Sequence, residues 1–212
     1  MTDLVDRLTR HRVVPVVVIH DASRADGVAD ALVRGGLPLA EVTFRTPEAA
    51  TALRVMSRRS DMLVGAGTVI TATQVEQAVD AGARFIVSPG FSRSVVRRCS
   101  ELAVPVFPGV ATASEVMAAL DEGLSTLKFF PAEPSGGVAA VRALAAPFPQ
   151  VRFIPTGGVG PRNVNDYLAL PSVVAVGGSW MVPAAAVRDG DMEAVTALSR
   201  EAAALTSTRN EG

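Results

Sequence analysis

Short apolar runs recur along the chain, and an amphipathic stretch of helical length follows each one. The runs start 20 to 26 residues apart, at Val13, Leu39, Leu63, Phe85, Pro105, Thr126, Arg152 and Val173. Near-continuous apolar strands that alternate with helices are typical of parallel strands buried on both faces. Eight such units predict an α/β fold of the (β/α)8 TIM-barrel type. Residues 1–12 are expected to form a short helix ahead of the first strand.

The structural alternative to a closed barrel is an open, doubly wound parallel sheet. That fold usually has fewer strands, and its nucleotide-binding version carries a glycine fingerprint after the first strand. Here the first run closes on His20 and Asp21, with no glycine triplet. At about 150 residues per domain, the 212 residues predict a single barrel domain, 1–212.

Composition narrows the range of partners. A formal net charge of −1 argues against nucleic acid or an anionic membrane as the main partner. One cysteine rules out a multi-thiolate metal site and two histidines argue against a histidine-rich one, so we expect no metal. The apolar runs fall short of the roughly 20 residues of a spanning helix, and no segment resembles a signal peptide. We therefore expect a cytoplasmic protein with no membrane partner.

Lysine usage singles out one position. The 20 basic residues comprise 19 arginines and one lysine, Lys128, which lies in the apolar stretch 126–131. A bias toward arginine explains the many guanidinium groups but not the one remaining amine. Arginine stays protonated at any working pH, so a site that needs an amine nucleophile must keep lysine. The structural alternative is a stem that packs on apolar surface while the ammonium group reaches water.

Further polar residues collect near the carboxyl ends of the predicted strands, where the active sites of such barrels lie. Strand alternation predicts that Glu41, Thr43 and Arg45 project to one face of their strand. By the same rule Lys128 and Phe130 share a face of theirs, and Leu127 and Phe129 point the other way. Glu41 could act as a general acid and base beside Arg45, whose guanidinium suits a substrate carboxylate. Alternatively, Glu41 and Arg45 form a structural ion pair.

The last two predicted strands both end in paired glycines. Thr156-Gly157-Gly158 follows the seventh run, and Gly177-Gly178-Ser179 closes the eighth. Glycines at these points expose backbone N–H groups, and loops after strands seven and eight often bind phosphate in this fold. Each pair could also be only a tight turn, but together they favour a phosphate site.

These motifs resemble the bacterial 2-keto-3-deoxy-6-phosphogluconate (KDPG) aldolases, also called 4-hydroxy-2-oxoglutarate (KHG) aldolases. The resemblance runs in order from Val13 to about Asp191. Its motifs are PVVVI at Pro15, EVTFRT at Glu41, VGAGTV at Val64, SPGF at Ser88, FPGVAT at Phe107, LKFFPAE at Leu127, PTGGV at Pro155, DYLAL at Asp166 and GGSWMVP at Gly177.

The resemblance implies a class I, metal-free aldolase without a cofactor, usually a homotrimer. It implies Lys128 as the Schiff-base residue and Glu41 as the general acid and base, with Arg45 and Thr68 holding the substrate carboxylate. It also implies pyruvyl contacts at Pro89, Phe130 and Thr156 and a phosphate site at Gly157, Gly158, Gly178 and Ser179.

Two rival functions stay open on the sequence. The same chemistry could serve unphosphorylated 4-hydroxy-2-oxoglutarate, which gives pyruvate and glyoxylate. In a different class, the chain could be a phosphate-binding barrel that acts as an isomerase or a sugar-phosphate sensor. In that case Lys128 would be a phosphate counter-ion and would form no imine.

Overall fold

Each apolar run contains at least one short strand. The computed structural model describes residues 2–207. In chain order the strands are β1 (Val13–Val17), β2 (Leu39–Thr43), β3 (Leu63–Gly67), β4 (Ile86–Val87), β5 (Val106–Phe107), β6 (Gly109–Val110), β7 (Thr126–Phe129), β8 (Arg152–Pro155) and β9 (Val176–Gly178). The fifth run forms both β5 and β6, because Pro108 between them has no N–H to donate.

Helices fill the stretches between the strands, as the sequence predicts. They are α1 (Thr2–His11), α2 (Ala25–Arg34), α3 (Ala49–Ser57), α4 (Ala72–Asp80), α5 (Arg93–Glu101), α6 (Ala113–Asp121), α7 (Gly137–Ala145), α8 (Val164–Leu168), α9 (Ala184–Asp189) and α10 (Met192–Ser207). The predicted N-terminal helix is α1, although Met1 lies outside the described residues. Helix α9 was not predicted from the sequence, since six residues are too few to show a helical period.

Local sequence signals fix several of the helix starts. Thr112 accepts a hydrogen bond from the Glu115 N–H, and the Glu115 carboxylate accepts one from the Thr112 N–H, which together form a capping box at α6. Thr71 caps α4 by accepting a hydrogen bond from the N–H of Gln74. No helix in the described part of the chain is long and apolar enough to cross a membrane.

All strand pairs are parallel. Six strands form a curled sheet in the order β5-β4-β3-β2-β1-β9, and three more form a sheet in the order β6-β7-β8. The backbone also makes an isolated parallel bridge between Thr156, just after β8, and Gly177 of β9. The fold is therefore α/β with a parallel sheet curled through about half a barrel. Its parallel α/β class is the one that the alternation of runs and helices predicted.

Two apolar clusters lie on opposite faces of the strands. Alternate residues such as Val64, Leu127 and Phe129 pack into the larger cluster, which includes residues of the surrounding helices. The other residues point to the concave side, where an inner cluster contains Val14, Leu39, Leu63, Phe85, Val87, Phe107, Ile154 and Ala175. Leu4 and Leu8 of α1 belong to this inner cluster. Side chains that share the concave side with it are thus shielded from water.

Candidate active site

The inward faces of β2 and β7 bring one acid and the single lysine together. Lys128 Nζ donates a hydrogen bond to Glu41 Oε1 at 3.1 Å, and the two side chains are only 5% and 4% exposed. Strand alternation produces this arrangement, because Leu127 and Phe129 occupy the opposite face of β7. The structural alternative for Lys128, an ammonium group that reaches water, is therefore wrong.

A small cavity of about 10 Å³ lies against the pair. Apolar side chains form most of its wall, and Glu41, Lys128 and Thr156 supply the polar part. The Phe130 ring completes the surroundings of the lysine, with its centroid 5.2 Å from Nζ. Charges in such a site interact more strongly than they do in water, and a carboxylate at hydrogen-bond distance can exchange a proton with an amine.

The geometry of β3 leaves room for the Glu41 carboxylate. Gly67 lies opposite Thr43 in the β2–β3 register, next to the Glu41 side chain. A Cβ on Gly67 would overlap Glu41 Oε1. Gly67 is a site residue that the sequence reading missed, although a glycine at a buried strand end is a usable signal for close approach of another group.

Arg45 and Thr68 lie next to each other beyond the ends of β2 and β3. Arg45 Nε donates to Thr68 Oγ1 at 3.1 Å. Thr68 has a φ of 56°, a left-handed conformation that is rare for a β-branched residue and is found at functional sites. Since β2 ends at Thr43, strand alternation does not extend to Arg45.

The structural ion pair that was the alternative role for Glu41 and Arg45 does not form. In the described chain Glu41 pairs with Lys128 instead, and the exposed Arg45 bonds the threonine. The Arg45 guanidinium uses its Nε–H in this bond, so its remaining N–H groups are available to a ligand at the strand ends.

The two glycine loops lie side by side. The bridge between Thr156 and Gly177 joins their starting points, and Gly157 and Gly158 both have positive φ values, of 98° and 85°. Gly178 ends β9, and the next residue, Ser179, is exposed. The edge of the fold that was predicted to bind phosphate thus has both loops together.

Phe130 lies close to the lysine, and Pro89 lies against the strand next to it. The Phe130 ring is 3.3 Å from the position that a Cβ on Gly157 would occupy, so it lies between the lysine and the glycine loop. The Pro89 carbonyl packs against Gly109, which is paired with Lys128 in the β6–β7 register. The structure therefore brings Phe130 and the loop after β8 to the area around Lys128, and it places the loop after β4 against β6.

A parallel α/β fold with a buried amine beside a carboxylate has the arrangement found in enzymes that use lysine as a nucleophile. A family model described as "Aldolase: KDPG and KHG aldolase" matches residues 4–198. The chain belongs to this KDPG and KHG aldolase family, a family of lyases.

Individual relatives agree with the family match. The KHG/KDPG aldolase of Escherichia coli strain K12 is 47% identical over 196 residues, which are 92% of this chain and 92% of that protein. The crystal structure of the Zymomonas mobilis ZM4 2-keto-3-deoxy-6-phosphogluconate aldolase with 3-phosphoglycerate superimposes with a TM-score of 0.89, at 45% identity and 95% coverage of both chains. The Legionella pneumophila KDPG aldolase, with pyruvate captured at low pH as a covalent carbinolamine intermediate, gives a TM-score of 0.90 at 42% identity, covering 93% of this chain and 97% of that one.

Proposed function

We propose that this chain is a class I aldolase that reversibly cleaves KDPG to pyruvate and glyceraldehyde 3-phosphate. The observation that carries the proposal is the buried Lys128 amine at 3.1 Å from the Glu41 carboxylate. The carbinolamine in the Legionella relative and the name of the Zymomonas enzyme support both the covalent chemistry and the substrate.

The reaction begins at the amine of Lys128. Nζ attacks the C2 ketone to give a carbinolamine, which loses water and becomes an iminium ion. The electrons of the C3–C4 bond flow to the iminium as that bond breaks, and the C4 hydroxyl proton passes to Glu41 directly or through a water. Glyceraldehyde 3-phosphate leaves. Protonation of the enamine at C3 and hydrolysis of the pyruvyl imine then release pyruvate and restore the amine.

Residues around the pair hold the two ends of the substrate. Arg45 and Thr68 bind the carboxylate, which suits a guanidinium fixed by a neighbouring hydroxyl. The pyruvyl part lies against Pro89, Phe130 and Thr156. The phosphate lies on the paired glycine loops, at Gly157, Gly158, Gly178 and Ser179. Holding both ends aligns the reacting carbons with Nζ.

The architecture proposed for this chemistry is a closed (β/α)8 barrel in one domain, 1–212. The Thr156–Gly177 bridge supports closure on one side. On the other side, Pro108 joins β5 of the larger sheet to β6 of the smaller one. The Pro108 carbonyl accepts a hydrogen bond from the Lys128 N–H at 3.0 Å, which supports closure there too.

A homotrimer in the cytoplasm that binds no nucleic acid and no membrane completes the proposal. Sedimentation of the purified chain tests the trimer.

A second candidate substrate is 4-hydroxy-2-oxoglutarate, which the family description and the Escherichia coli relative both name. Comparing kcat/KM for the two substrates separates the candidates. A preference for KDPG is expected, because a substrate without phosphate would make no contact with the phosphate site on the glycine loops.

The proposed function is tested by borohydride reduction of the protein in excess pyruvate, followed by intact-mass and peptide mapping. One reduced pyruvyl adduct is expected, on the peptide that contains Lys128. A folded protein that gives no adduct would contradict the aldolase and favour the phosphate-binding barrel, an isomerase or sensor.

Substitution of Gly67 tests the room left for the general acid and base. In Gly67→Ala the new methyl group displaces the Glu41 carboxylate, and we expect kcat for KDPG to fall by about 10²-fold or more. Gly160→Ala is the matched control, since a Cβ there meets nothing within 4 Å. Equal kcat in both folded variants would contradict the requirement for space at Gly67.

A further inference from the structure

The segment after β7 is bonded to the glycine loop after β8. The Ala132 N–H donates to the Thr156 carbonyl at 2.8 Å, and the Glu133 N–H donates to the Gly157 carbonyl at 3.0 Å. The Glu133 side chain then lies directly against Gly158, where a Cβ would overlap its Cγ atom. Glu133 therefore touches the loop through both its backbone and its side chain.

The Glu133 carboxylate is bound in turn by the single tyrosine of the chain. The Tyr167 hydroxyl of α8 donates a hydrogen bond to Glu133 Oε1, and the tyrosine ring is fully buried. Burial and the neighbouring carboxylate raise the pKa of Tyr167, so the hydroxyl stays protonated and able to donate at neutral pH. Neither residue takes part in the chemistry at Lys128.

The far side of the loop is attached to the same helix. Asn163, which immediately precedes α8, accepts from the Gly160 N–H at 2.8 Å and donates to the Gly158 carbonyl at 3.1 Å. Gly158 is thus held from two directions, by Asn163 through its carbonyl and by Glu133 through packing. A backbone rich in glycine loses much freedom when it is ordered, so these contacts fix donors that would otherwise fluctuate.

We propose that Glu133 and Tyr167 are positioning residues that hold the Gly157–Gly158 backbone ready for the phosphate of the substrate. This inference rests on the proposed function. The tyrosine hydrogen bond directs the carboxylate toward α8, so that the stem of Glu133 supports the loop while its negative charge is engaged away from the phosphate. Fixing the loop in advance lowers the entropy cost of binding the phosphate group.

The test compares a phosphorylated and an unphosphorylated ligand in Tyr167→Phe, which keeps the ring and removes the hydroxyl. We expect KM for KDPG to rise about tenfold, the effect of one hydrogen bond, with kcat within about twofold of wild type. The pyruvate concentration that gives half-maximal borohydride trapping should not change, because pyruvate has no phosphate.

Variants at Glu133 give an independent measurement of KM for KDPG. Because Glu133 is exposed, shortening its side chain should leave the hydrophobic core intact. Glu133→Ala should reproduce the rise in KM, whereas Glu133→Gln keeps an acceptor for the hydroxyl and should stay within about threefold of wild type. Asp166→Asn removes an exposed carboxylate from α8, the helix that carries Tyr167. It controls for the change in charge and should match wild type.

Two results would overturn the proposal. One is an unchanged KM for KDPG in both Tyr167→Phe and Glu133→Ala. The other is an equal loss of KDPG binding and pyruvate trapping, which indicates general disruption of the site. Absence of pyruvate trapping in the wild-type protein, in contrast, counts against the aldolase itself.

Discussion

Replacing Lys128 with alanine is expected to lower kcat for KDPG cleavage by at least about 10⁴-fold, because the step that forms the iminium has no other nucleophile. Lys128 is the single lysine, so no other lysine side chain can substitute for it. Borohydride reduction with pyruvate should give no adduct in this variant. Near-wild-type turnover in a pure preparation would contradict the Schiff-base mechanism.

Loss of activity in Lys128→Ala must be separated from loss of fold. Removing the ammonium group leaves the Glu41 carboxylate buried without its partner, a change that typically costs about 3–5 kcal/mol. The double variant Lys128→Met and Glu41→Gln removes both charges and fills most of the space, so it should melt at a higher temperature than Lys128→Ala. Both variants should be inactive, and inactivity of the stable double variant shows that loss of the catalytic pair, rather than instability, abolishes turnover.

The part of the site that lies on strands could be predicted from sequence, because two constraints agree there. Alternation decides which side chains share a face, and burial decides that a charged residue on the inner face needs a partner. Lys128 satisfies both, and the structure places it beside Glu41, 87 positions away along the chain. The sequence indicated that the two residues lie near one another, but the direct contact depends on the curvature of the sheet.

Features outside the strands were harder to predict. Arg45 lies past the end of β2, where alternation no longer applies, and α9 is too short for its period to be recognised. Glu133 and Tyr167 are 34 positions apart in the sequence. Glu133 lies in a loop and Tyr167 lies on a five-residue helix. No periodic pattern in the sequence predicts a contact between two such residues, so only the folded chain shows what supports the glycine loop.

Replacing Glu41 with glutamine is expected to lower kcat by about 10²- to 10⁴-fold, the usual contribution of a positioned acid and base. The amide keeps the size of the side chain and an acceptor for Lys128, but it cannot take the C4 hydroxyl proton. Glu201→Gln, an exposed residue of α10, is the matched control and should retain full activity. Steady-state cleavage of KDPG measures the effect.

Imine trapping then distinguishes the role of Glu41 from that of Lys128. Glu41→Gln keeps the amine, so pyruvate and borohydride should still give an adduct on the Lys128 peptide, even though turnover is slow. If trapping disappeared while KDPG still bound, the carboxylate would be needed to form the imine itself, and its assignment to the C3–C4 cleavage step would be wrong. An adduct with slow turnover places the function of Glu41 after imine formation, because the covalent step has then occurred without it.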